Sequence, residues 1–302
     1  MGDFWHETDD KMRLWCREEG PEEAAVTVVL THGYAQGSNC WHAQRDFLAA
    51  AGLRVLVWDL RGHGRSEHPA DASGCTIDRI ADDLAELVRE DCQGPVVLVG
   101  HSMGGMALMA LAQRSPELVR ERVAGVGFIA TSATGEGLGY LGVRRAAHLV
   151  LGVAEPVFRV FARHQSAMLR LRRVGLPLEA PVMWASCCGR GTSREDVRLT
   201  GQMGADAGFE TMAAFLPDMV RHRRLGALAA YRDVPSLVLN GSWDLVVPPE
   251  ASDVIAEALP GCRRVAVPGA GHNVMMAAPG CVSEELLRLA TPESVSGLCQ
   301  DE

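Results

Sequence analysis

The stretch Val96-Val97-Leu98-Val99-Gly100-His101-Ser102-Met103-Gly104-Gly105 decides how this chain folds. Its first four residues read as a buried strand, and Met106-Ala107-Leu108-Met109-Ala110-Leu111 continues the chain as a helix. Between them, G-x-S-x-G marks a sharp strand-to-helix turn, a nucleophile elbow. Gly100 and Gly104 remove side chains where strand and helix crowd together, so Ser102 can hold a strained backbone with its hydroxyl presented outward. Glycine-rich turns that happen to contain serine are common, so the residues elsewhere carry the interpretation.

A neutral serine hydroxyl is a weak nucleophile and needs a base in hydrogen-bond reach, with a carboxylate to orient that base. Downstream, Ser236-Leu237-Val238-Leu239-Asn240 reads as a buried strand running into Gly241-Ser242-Trp243-Asp244, before Pro248 and Pro249 open a helix. The following strand, Arg263 to Val267, runs into Pro268-Gly269-Ala270-Gly271-His272. Asp244 and His272 therefore occupy loops at the C-terminal ends of neighbouring strands. In an open parallel sheet those ends share one edge, where ligands bind. Ser102, Asp244 and His272 are the candidate catalytic residues, in the chain order Ser, Asp, His.

Ten histidines make a stray one near a glycine turn unremarkable. His6, His42, His68 and His222 read as surface or loop residues, and His32 and His63 as ties for loop backbone. His101 adjoins Ser102 with its side chain diverging, while His148 and His164 fall in the insertion described below. Only His272 has both a strand-end position and the right order.

Acyl transfer also needs donors for a developing oxyanion. The strand Val26 to Thr31 ends in His32-Gly33-Tyr34-Ala35-Gln36-Gly37 at the same sheet edge. The backbone N–H groups of Tyr34 and Met103 are the candidate donors, the latter at a helix N-terminus. His32, Gly33, Trp243 and Val246 are candidate substrate contacts. His32-Gly33, Asp59-Leu60-Arg61-Gly62-His63-Gly64-Arg65-Ser66, the GHSMGG elbow, Gly241-Ser242-Trp243-Asp244 and Gly271-His272 together resemble the α/β-hydrolase superfamily over nearly the whole chain outside its middle. The resemblance implies an α/β-hydrolase fold, a mostly parallel eight-stranded sheet flanked by helices, and a triad carried by Ser102, His272 and Asp244. It also implies a structural role for Asp59 to Ser66. Relatives that open epoxides or displace halide carry aspartate at the elbow, so serine argues against those chemistries.

The 302 residues, 47% of them hydrophobic, suffice for one large packed core. No apolar run reaches the length of a membrane span, and Asp3, Glu7, Asp9 and Asp10 stand where a signal peptide would be basic. A soluble cytoplasmic protein is expected. Nine scattered cysteines without paired metal spacing read as reduced thiols, the adjacent Cys187 and Cys188 included. Lys11 is the one lysine among 29 basic residues, an arginine bias expected of a GC-rich, bacterial genome. No dinucleotide fingerprint, P-loop, zinc spacing or repeat is visible, so no cofactor and no metal are expected.

After the buried run Ala124 to Thr131, the next clear strand starts near Ser236, too far for a plain crossover. Residues 135–232 read as a helical lid inserted into a core of residues 1–134 and 233–302, with helices near Leu141 to Ala154 and Pro156 to Arg173. The second is amphipathic. Val157, Val160, Phe161, His164, Met168, Leu169 and Leu171 fall mostly on one side, Arg159, Arg163, Arg170 and Arg173 on the other, as in any lid helix with a solvated outer face. Residues 135–232 hold 14 arginines and 8 acidic residues, whereas the rest of the chain holds 15 basic and 30 acidic ones. A basic lid on an acidic body offers a site for an anionic carrier such as acyl carrier protein or coenzyme A, or for an acidic lipid surface. Nucleic acid is excluded by the acidic body and the lack of a recognition motif.

The function expected from these residues is a serine hydrolase cleaving carboxylic esters of a largely apolar small molecule through an acyl-enzyme. Three alternatives share the same residues: a thioesterase or acyltransferase on carrier-bound acyl groups, a C–C hydrolase or cyclase, and a ligand-binding protein without turnover.

Overall fold

The computed structural model describes residues 2–135 and 187–291. The two lid helices expected near Leu141 to Ala154 and Pro156 to Arg173, with His148 and His164, lie outside the described residues. Eight strands form one sheet: β1 (Asp3–Glu7), β2 (Arg13–Glu19), β3 (Thr27–Thr31), β4 (Arg54–Trp58), β5 (Val96–His101), β6 (Val123–Ile129), β7 (Ser236–Gly241) and β8 (Arg263–Val267). Their order is β1-β2-β4-β3-β5-β6-β7-β8, with β1 and β2 antiparallel and the other six parallel. The α/β-hydrolase fold is thus present, with its mostly parallel eight-stranded sheet flanked by helices.

The central strands are apolar on both faces because both faces are covered. Val29, Leu56, Trp58, Val96, Leu98, Val126, Phe128 and Val238 join one core, with α2 (Ile77–Glu90), α3 (Met103–Arg114) and α7 (Pro249–Ala258). The alternate residues Val28, Leu30, Val55, Val57, Val97, Val99 and Leu239 join the other, with α1 (His42–Ala50), α8 (Val274–Ala277) and α9 (Pro279–Ala290). This alternation is the two-residue period of a pleated strand. The helix α4 (Pro116–Arg122) adds Leu118 and Val119 to the first core.

The middle of the chain leaves and re-enters the sheet layer at one neck. Thr134 bridges Arg223 in antiparallel fashion, Gly135 N–H donates to the His222 carbonyl at 2.7 Å and Arg224 N–H to the Ala133 carbonyl at 2.9 Å. Within the excursion lie α5 (Arg194–Asp206) and α6 (Gly208–Arg221). The 3-10 stretch Leu225–Tyr231, which patterning assigns to the insertion, packs on the first core. Tyr231 is buried there against Phe128, and its hydroxyl donates to the Leu108 carbonyl at 2.9 Å.

The Asp59 to Ser66 loop, structural by the family resemblance, is held by a dense set of hydrogen bonds and ion pairs. Asp59 accepts Ser38 N–H at 2.7 Å and Arg65 N–H at 2.9 Å. Arg61 is fully buried, makes a two-pronged contact to the equally buried Asp83 (2.7 and 2.5 Å), and reaches Asp10 at 3.1 and 3.2 Å. Two surface expectations fail here. His6 is buried, its Nδ1 2.8 Å from Asp91, and His222 is buried with Arg224 donating to its Nδ1 at 2.9 Å. His6 is covered by α2, whose Glu86 also approaches its ring, together with Asp91, which follows α2.

Removing one partner of a buried ion pair strands the other. Arg61→Ala, which leaves the fully buried Asp83 without its hydrogen-bonding partner, is therefore expected to lower the unfolding free energy by about 3–5 kcal/mol in urea titrations. Loss of the exposed Lys11–Glu7 pair through Lys11→Ala should leave the midpoint unmoved.

Candidate active site

The elbow has the predicted form. Ser102 sits between β5 and α3 with φ 51° and ψ −115°, a region L-residues rarely occupy. Its N–H donates to the Ile129 carbonyl at 2.9 Å and its carbonyl accepts the Thr131 hydroxyl at 2.6 Å, so the end of β6 and the loop after it hold the strained residue from both sides. A Cβ on Gly100 would fall 2.5 Å from the Gly104 carbonyl carbon, and one on Gly104 would fall 2.5 Å from the Thr31 carbonyl oxygen. Neither position admits a side chain.

Asp244 and His272 are brought together from loops 28 residues apart. The Asp244 side chain is fully buried and accepts three donors. Val246 and Val247 N–H groups reach Oδ1 at 2.9 and 2.8 Å, and His272 Nδ1 lies 2.8 Å from Oδ2. With its Nδ1 proton committed to the carboxylate, His272 keeps Nε2 as its proton-accepting atom. The backbone around His272 is strapped on both sides: Gly271 N–H donates to the Cys188 carbonyl at 3.1 Å and Asn273 N–H to that of Cys187 at 2.7 Å. Among the described residues, Cys16, Cys40, Cys75, Cys92, Cys188, Cys262 and Cys281 are free thiols.

The β3 loop comes against the elbow. A Cβ on Gly33 would lie 3.0 Å from Ser102 Cβ, so glycine there lets the loop reach the serine. Tyr34, the next residue, anchors its hydroxyl to the Met212 carbonyl of α6 at 2.7 Å, and Met103 opens α3, where an N–H has no intrahelical acceptor.

The expected substrate contacts divide. Gly33 lies against Ser102. His32 does not present its ring to a ligand, because it is fully buried, with Nδ1 2.8 Å from the Gly33 carbonyl and Nε2 accepting Leu60 N–H at 2.9 Å. Both nitrogens are spent on backbone, as its reading as a loop tie requires. Trp243 is 49% exposed under the Arg190 guanidinium, 4.4 Å from the ring centroid, and Val246 is half-buried against the first core while its N–H serves Asp244.

Sequence reasoning missed the polar floor of the site. His101 is fully buried, with Nδ1 2.9 Å from Gln36 Oε1 and Nε2 3.0 Å from the His272 carbonyl. Gln36, Asn273 and Thr200 extend this floor, and only the adjacency of Asn273 to His272 was a signal for any of them. Among the described residues, no group of three or more histidines, cysteines or acids could hold a metal ion, and no helix is long and apolar enough to cross a membrane.

Burial pushes the imidazolium form of His63 down to about 3, with His32 adding repulsion, and that of His222 down to about 3, with Arg224 and Arg223 adding repulsion. His32 and His101 are lowered by burial as well. His63 accepts Ala35 N–H on Nε2 and faces the Arg61 carbonyl with Nδ1, a pattern that a neutral ring makes. A folded-state value below the unfolded one, ordinarily near 6.5, means that the unfolded chain binds more protons between about 6.5 and 3. Stability is then present above 6.5 and lost as pH falls, by about 1.4 kcal/mol per pH unit for each such histidine. His6, raised because the Asp91 hydrogen bond and nearby acids outweigh burial, and Asp83, pushed up to about 6 by burial, act in the opposite sense, but the four lowered histidines outnumber them. The urea midpoint is expected to fall between pH 7 and pH 5, and a flat profile over that range would refute the neutral histidines.

Comparison with known proteins places these features in context. A family model described as the alpha/beta hydrolase fold matches residues 26–279. The chain is 31% identical to a 2-(acetamidomethylene)succinate hydrolase from Mesorhizobium japonicum over 89% of its length and 88% of that protein. It is 25% identical to bifunctional epoxide hydrolase 2 from Sus scrofa over 86% of its own length, but spans only half of that relative. Among solved structures, a thermophilic esterase from Thermogutta terrifontis is 27% identical, with a TM-score of 0.71, over 95% of this chain and 97% of that one.

Proposed function

The chain belongs to the α/β hydrolase fold family, and from that premise we propose that it is a serine hydrolase cleaving carboxylic esters of a largely apolar small molecule. The observation that carries the reading is the buried Asp244 carboxylate, held by two backbone N–H groups and 2.8 Å from His272 Nδ1, on the sheet edge that bears the Ser102 elbow.

In this reading Ser102 Oγ attacks the ester carbonyl while His272 Nε2 takes its proton, and Asp244 stabilises the imidazolium. The tetrahedral oxyanion is received by the N–H groups of Tyr34 and Met103. Collapse expels the alcohol, protonated by His272, and leaves an acyl group on Ser102. Water, deprotonated by His272, then attacks the acyl carbonyl and releases the acid and free Ser102. Serine at the elbow supports acyl transfer over epoxide opening, for which the family resemblance implies aspartate. The apolar preference rests on the Leu, Val, Met and Phe content of residues 135–232, read as a lid between core segments 1–134 and 233–302.

Ser102→Ala is expected to reduce kcat on 4-nitrophenyl esters by at least about 10³-fold and to abolish labelling by a fluorophosphonate, measured by intact mass. Residual turnover near wild type, or label on another serine, removes the assignment. His272→Ala combined with Asp244→Asn should cost little more than His272→Ala alone, because groups that act as a unit are non-additive. Additive losses in activation free energy would separate Asp244 from the triad.

A further inference from the structure

Gln36 lies in the β3 loop, 5% exposed, and its amide joins that loop to the end of β5 and to the loop after β8. Its Oε1 accepts Gly33 N–H at 3.0 Å, within the loop that carries Tyr34. The same oxygen is 2.9 Å from Nδ1 of His101, the residue before the candidate nucleophile. Its Nε2 donates to Asn273 Oδ1 at 2.8 Å, the residue after the candidate base. The orientation of the amide is determined, since only the oxygen can accept the Gly33 N–H. Asn273 carries the chain onward to Thr200 Oγ1 in α5 at 3.3 Å. His101 closes the circuit, because its other nitrogen faces the His272 carbonyl at 3.0 Å, and its ring packs on that of His272 with centroids 4.7 Å apart. A neutral His101 carries one proton, so it donates to one of these two oxygens and packs against the other.

We propose that Gln36 is a positioning residue that locks the oxyanion loop, the nucleophile elbow and the histidine loop into one rigid unit. The proposal rests on the Ser102–His272–Asp244 reading above. Its physical basis is geometric. Residue 33 in the β3 loop, residue 101 at the end of β5 and residue 273 in the loop after β8 belong to three segments whose relative placement sets the distances among nucleophile, base and oxyanion donors. Apolar packing is non-directional and tolerates small sliding, whereas a buried amide with fixed donor and acceptor ends does not. Displacements on the order of 1 Å among such groups cost roughly 100-fold in rate.

The test compares Gln36→Met, close in length and without polar atoms, with Gln36→Glu. The latter keeps the acceptor for Gly33 and His101 and lets the Asn273 amide turn over to donate to the carboxylate. Each is assayed by circular dichroism, by kcat and KM on a 4-nitrophenyl ester, and by the rate of fluorophosphonate labelling, all well below its melting temperature. In Gln36→Met, kcat and the labelling rate should both fall roughly 10–100-fold, with KM within about threefold of wild type. Gln36→Glu should lose between about 3-fold and 10-fold, a partial rescue by the variant that retains the acceptor but replaces the amide donor to Asn273. Wild-type kcat and labelling in either folded variant, or a loss confined to KM, overturns the proposal. Should Gln36→Met fail to fold, Gln36→Glu decides by the same criteria. Failure of the underlying reading is seen separately, since the wild-type protein would then not be labelled at Ser102 at all.

Discussion

Helix α3 begins directly above the ends of β3 and β5, and the absence of side chains at 100 and 104 is the condition for that approach. With a Cβ at either glycine only 2.5 Å from backbone atoms, any other residue would push the helix off the sheet. The close approach forces the connecting residue, Ser102, into a positive φ. The cost is offset by the hydrogen bonds of Ser102 to Ile129 and Thr131 in the β6 region. It also puts the first N–H of α3, that of Met103, next to the serine. Gly33 extends the same logic to the neighbouring loop, whose backbone could not otherwise reach Ser102.

The floor beneath this elbow is polar, in contrast to the two hydrocarbon layers that hold the sheet together. His32, His63 and His101 are buried and shifted toward the neutral form, and each joins backbone or side-chain groups of different loops. Buried imidazoles contribute less hydrophobic stabilisation than the leucines that could replace them, but they define donor and acceptor positions that leucines cannot. Arg61, Asp83 and Asp10 do the same for the Asp59 to Ser66 loop. Such groups select one arrangement of loops from the many that a purely apolar core would accept.

The chain that returns from residue 187 onward is wired into the same site. Cys187 and Cys188 carbonyls hold the amides on either side of His272, Thr200 of α5 meets Asn273, and Met212 of α6 receives the Tyr34 hydroxyl. These contacts join the middle of the sequence to the loops that carry His272 and Tyr34 by hydrogen bonds with few alternatives. Substitutions in α5 or α6 thus have a short physical route to the candidate triad.

Whereas the eight-stranded sheet followed from the family resemblance, the sequence by itself determined β3, β5, β6, β7 and β8, the elbow and the order of Ser102, Asp244 and His272. Each of these is written in local terms: alternating buried residues, glycines at crowded turns, and loops that follow strands. The β5, β7 and β8 segments appear where periodicity puts them, and Asp244 meets His272 because parallel strands deliver their loops to one edge. Tertiary structure alone decided the burial of His6 and His222, the withdrawal of His32 from any ligand, the solvent-facing stack of Trp243 and Arg190, and the core packing of Leu225 to Tyr231. It also decided the meeting of Gln36 with Asn273, which are 237 residues apart. No periodicity or turn signal links such residues, because a hydrogen bond between distant side chains depends on how whole elements pack, and a local sequence window contains only the local half of that information.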